Sequence, residues 1–94
     1  MTDASDAGTD SLIAVRGSTH GHYPTQAAVT QEIKRVFRAA PNWGDLTPVE
    51  ADALEMMACK LGRILAGDPH FYDHWSDIAG YARLVDKECE RPAG

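Results

Sequence analysis

The chain has 94 residues, is 44% hydrophobic and carries 14 acidic against 9 basic side chains, for a net charge of −5. That length bounds it to one small domain with a thin core, for which self-association would help. The acidic balance excludes a duplex-DNA binder, which needs a basic footprint, and suits a bound cation or a partner with a basic surface.

The two cysteines, Cys59 and Cys89, form neither a C-x-x-C pair nor a zinc spacing. They read as one buried and one exposed thiol in a reducing cytoplasm. No apolar run approaches the ~20 residues of a membrane span, and the acidic N-terminus does not resemble a signal peptide. The expectation is a cytoplasmic protein bound to neither membrane nor duplex DNA.

Residues 1–11 (MTDASDAGTDS) lack apolar periodicity and read as a disordered tail, leaving 12–90 as a helical domain. Leu12, Ile13 and Val15 can form a short docked segment. A loop follows, Arg16-Gly-Ser-Thr-His-Gly-His-Tyr23, with His20 and His22 flanking a glycine.

The first helix is expected from Thr25, as its cap, to Ala40, with Val29, Ile33, Val36, Phe37 and Ala40 as its apolar stripe. Pro41 ends it, and Trp43 in the following loop reads as a plug over the core. The second helix has the clearest start. Thr47-Pro48-Val49-Glu50 spells a capping box with proline at the first helical position. Its stripe is Leu54, Met57, Leu61, Ile64 and Leu65. Gly67 fits a left-handed closing residue, and Pro69 prevents continuation.

The third helix starts between Asp68 and Asp73, either of which can cap it, and ends near Glu88. Trp75, Ile78, Ala79, Ala82 and Val85 form its expected core stripe. Gly80 reads as a point of close backbone approach. No strand pattern or repeat is present, so the expected fold is all-α: three main helices in a small antiparallel bundle.

Four carboxylates sit at helical spacing, Asp52 and Glu55 on the second helix and Asp73 and Asp77 on the third. If the two faces meet, they can hold Mg²⁺, which favours hard oxygen ligands shared with substrate phosphates. Acids at helix starts also complement the helix dipole, and Asp52 and Asp73 suit that structural role. Lys60, Arg63 and Arg16 are candidate phosphate contacts, or members of a solvated face. His20, His22 and His74 are candidate ligand contacts; singly, each also reads as a polar surface or capping residue. Tyr81 shares a helix face with His74 and Asp77, and aromatics there can stack on a base or fill a core.

The segments RGSTHGHY, PNWGDLTPVEADALEMMACKLGRILAGD and DHWSDIAGYARLV resemble a family of short phage and prophage proteins of unknown function, over roughly Arg16 to Val85. More distantly, the pair of acidic helices is similar to the MazG-like all-α nucleotide pyrophosphohydrolases. Those enzymes bind Mg²⁺ through an E-x-x-E helix and an E-x-x-D helix and act as dimers or tetramers. Here Asp52 to Glu55 (D-A-L-E) stands for the first motif with one substitution. His74-Trp-Ser-Asp77 stands for the second, with histidine replacing its first carboxylate and Asp73 one place earlier. Gly21-His22-Tyr23 stands where the relatives read G-D-F or G-D-Y.

The resemblance implies a homo-oligomeric, nucleotide-related protein that is either a Mg²⁺-dependent, partly degenerate pyrophosphohydrolase or a non-catalytic phage counter-defence protein. The second kind would act in the host cytoplasm. It would sequester a nucleotide immune signal, or inhibit a host defence complex that binds nucleic acid, such as CRISPR.

Overall fold

The computed structural model describes residues 22–89, and the expected tail and most of the histidine loop lie outside them. Three α-helices follow one another: α1 (Tyr23–Ala39), α2 (Pro48–Ala66) and α3 (Tyr72–Glu88), with one 3₁₀ turn, Trp43–Asp45, between α1 and α2. The described residues contain no strand, so the all-α expectation holds. None of the helices is long and apolar enough to cross a membrane.

α2 forms where its sequence is most explicit. The Thr47 side chain accepts from the Glu50 backbone N–H at 3.2 Å, and the Thr47 N–H donates to Glu50 Oε1 at 2.9 Å. Two donors at the helix start are thereby satisfied together. α1 starts two residues before Thr25, with His22 as its cap residue and Pro24 in its first turn. Thr25 is therefore inside the helix and does not cap it. Gly67 has φ −131°, not a left-handed value. α2 stops because Pro69 cannot continue it and an Asp68 turn takes over: the His70 N–H donates to Asp68 Oδ1 at 2.9 Å. Neither Asp68 nor Asp73 caps α3, whose cap residue is Phe71 without a side-chain bond.

α2 is the central rod. It packs against both α1 and α3, whereas α1 and α3 scarcely meet. Both pairs are antiparallel. Gln26 and Thr30 near the start of α1 lie against Gly62 near the end of α2. Thr47 before α2 lies 3.9 Å from Cys89 Sγ beyond α3. At ~100° per residue, Glu55 and Gly62 mark the α1-facing side of α2, and Ala53, Met57 and Lys60 the opposite side, toward α3. The three rods thus lie side by side as one layer.

A single layer leaves its helices half covered, and the core is correspondingly small. Among the described residues, Ala53, Ala58 and Ile64 are the buried apolar side chains, accompanied by Gln26, Thr30 and His74. Several expected core residues are therefore exposed: Val36 at 59%, Leu65 at 68% and Trp75 at 50%, with Ala79 and Ala82 also open. The α1 seam runs through Gln26 and Thr30, because Gly62 lets α1 approach α2 closely there. The α3 seam runs through His74, Ile78, Tyr81 and Val85: it keeps Ile78 and Val85 of the expected stripe and replaces Trp75, Ala79 and Ala82 with His74 and Tyr81. Among the described residues nothing lies within 4 Å of where a Gly80 Cβ would stand, so no described element approaches closely there. Trp43 stacks on Phe37 with ring centroids 5.9 Å apart, closing the end of α1. Both cysteines are half-buried, so neither is the exposed thiol expected of Cys89.

Candidate functional site: a mixed-charge face on the helical layer

Glu55 lies on α2 where α1 passes it. Lys34 Nζ approaches Glu55 Oε1 at 3.5 Å and an Arg38 Nη at 3.7 Å. On the other flank of α2, Lys60 Nζ bonds Asp77 Oδ2 of α3 at 2.9 Å. The phase of each helix puts all of these on one side of the layer, with exposed Asp52 and half-buried Arg63 on α2 between them. The candidate acids therefore share a face, but cations are interleaved with them. Glu55 is held by α1 and Asp77 by α2.

Lys60 donates a hydrogen bond to Asp77, and that bond, above all, holds the Asp77 carboxyl below its ordinary range. Beside this pair stands His74, only 2% exposed. Its ring meets Phe71 edge-on, centroids 5.0 Å apart. Burial lowers the His74 pKa from its ordinary 6.5, and the nearby Arg63 and Lys60 charges lower it further, against the opposing pull of Asp77 and Asp73. The protonated imidazole is therefore disfavoured beside these two cations. Arg63 Nε is buried and has no hydrogen-bond partner among the described residues.

The two acids central to the expectation already neutralise lysine and arginine, and the described residues contain no group of three or more His, Cys, Asp or Glu side chains placed to hold a metal. Asp73 lies exposed in the first turn of α3, where it complements the helix dipole. Tyr81 is half-buried along the α3 seam. His22 is exposed at the start of α1, while Arg16 and His20 lie outside the described residues.

Lys34 and Arg38 were missed as members of this face. Their signal in the sequence is that Lys34 and Arg38 are one turn apart and meet an acid only once α1 docks on α2. Neither a protein-family model, nor a curated protein, nor a solved structure matches the chain.

Proposed function

We propose that this is a nucleotide-related binding protein, which holds a phosphorylated ligand on the mixed-charge face through Lys60 and Arg63. The observation that supports the reading is Arg63. A buried guanidinium N–H without an acceptor costs roughly 1–3 kcal/mol, and a phosphate oxygen that reached Arg63 after a shift of the side chains covering it would supply that acceptor. Lys60, one turn away, offers a second cation by exchanging Asp77 for the ligand. Buried His74 stands beside both. The distant likeness to nucleotide pyrophosphohydrolases points to the same ligand class. The pairing of Glu55 and Asp77 with cations favours holding the ligand over cleaving it.

The test is calorimetric titration of the full chain with a panel of nucleoside mono-, di- and triphosphates, with and without Mg²⁺. The expected result is binding of at least one member and recovery of that ligand intact. Lys60→Ala and Arg63→Ala should each weaken binding about tenfold or more, ~1.4 kcal/mol. A panel with no binder overturns the reading. Release of phosphate or pyrophosphate with Mg²⁺ or Mn²⁺ replaces it with the hydrolase, whose metal ligands would come from Asp52, Glu55, Asp73 and Asp77 after exchange of their present partners.

A further inference from the structure

The side of the layer opposite the charges is mostly apolar, interrupted by Glu50 at its groove and by exposed Asp86 one turn beyond Ala82. On α2, Leu54, Leu61 and Leu65 repeat at seven and four, which keeps them on one stripe. On α3, Trp75 and Ala82 repeat at seven. Leu54 and Ala82 line the same groove, which joins the two stripes into one surface. Val36 extends it along the flank of α1 turned away from Lys34 and Arg38. Val36, Leu65 and Trp75 are all at least half exposed there.

Trp75 and the groove are complementary features. The indole N–H of Trp75 donates to the Pro69 carbonyl at 3.1 Å. Its polar atom is thus satisfied internally, and the exposed remainder of the ring is apolar. The groove, about 310 Å³, lies about two turns farther along α3, between Leu46, Ala53, Met57 and Val85, with Glu50 also in its lining. Projection and recess stand at opposite ends of one face. An isologous two-fold whose axis runs across the helices exchanges these ends and so sets each projection against its partner's recess.

We propose that a second copy of this chain covers the apolar face, each Trp75 seating in the groove of its partner. The area suits this occupant. α2 has 19 residues, so the face is ~28 Å long, and three helices ~9 Å apart make it ~25 Å wide. That is ~700 Å² per copy, near the ~800 Å² per partner of a stable complex. The core argues the same way. Domains are built from at least two packed layers, and the described residues form one layer with three buried apolar side chains among them, half of such a core. The charged face remains outward in the pair, free for a ligand.

The test is sedimentation of the full chain from low to high micromolar concentration. The expected mass is twice the 10.2 kDa of one chain. Trp75→Glu and Ala82→Glu, both at open positions, should each raise the dissociation constant at least ~100-fold, with helical circular dichroism as the check on folding. In the Trp43→Phe variant, Trp75 is the remaining tryptophan of the two, and its emission should shift to the red on dilution as the pair separates. A full chain that stays monomeric at high concentration overturns the proposal, and so does a monomer with blue-shifted Trp75 emission, which would mean that another segment covers the face. A pair indifferent to both folded variants also overturns it.

Discussion

Thr30 of α1 rests its side chain directly on the backbone of Gly62 of α2, in the space where any other residue would place a Cβ. The Thr30 hydroxyl is buried there without a hydrogen-bond partner among the described residues. This contact sets how closely α1 and α2 approach, and with it the reach of Lys34 and Arg38 to Glu55.

Gly62→Ala should therefore destabilise the protein by about 1–3 kcal/mol, the usual cost of overpacking. Helix propensity alone predicts the opposite sign, because alanine is favoured over glycine by ~1 kcal/mol. Chemical denaturation decides between them. Adding Thr30→Ala should return part of the loss, since it removes the nearest atom. A neutral or stabilised Gly62→Ala would show that the seam is looser than described.

Gly80 supplies the contrast. It lies inside α3 with none of the described residues within 4 Å of where a Cβ would stand. Gly80→Ala should stabilise the fold by about 0.5–1 kcal/mol, seen as a higher denaturation midpoint with an unchanged slope. A loss of stability would place an unseen neighbour against that residue.

His74 gives the fold a dependence on pH. Its folded-state pKa is lowered from the ordinary 6.5, first by burial and then by Arg63 and Lys60. Below 6.5 the unfolded chain therefore binds a proton that the folded chain resists. The stabilisation is complete above 6.5 and is lost as pH falls from there through the lowered folded value. Denaturation midpoints measured across that window should decline on acidification, and His74→Gln should flatten the decline. An equal decline in both proteins would assign it to other groups.

The start of α2 is the most local of these features. Thr47→Ala removes the side-chain half of the capping box and should cost about 1 kcal/mol, while Thr47→Ser should cost little. Thermal melts of the two variants test it. Equal losses would point to the Thr47 methyl group, not its hydroxyl, as what matters.

Some of this was legible in the residues alone. The helical class, the capping box at Thr47 and Glu50, and the stop at Pro69 are local: each depends on backbone geometry and side chains within one turn. The placement of Asp52, Glu55 and Asp77 on helix faces follows from 3.6-residue periodicity. Periodicity also grouped Val36, Leu65 and Trp75 with the apolar residues, but it could not say whether another rod covers them. Only the tertiary structure decided that, by putting α1 and α3 on opposite flanks of α2 and leaving one side open. It likewise chose the partners of the acids. Whether Glu55 faces a second carboxylate or the cations of α1 depends on the close approach at Gly62, a contact between residues more than thirty positions apart that no local pattern encodes.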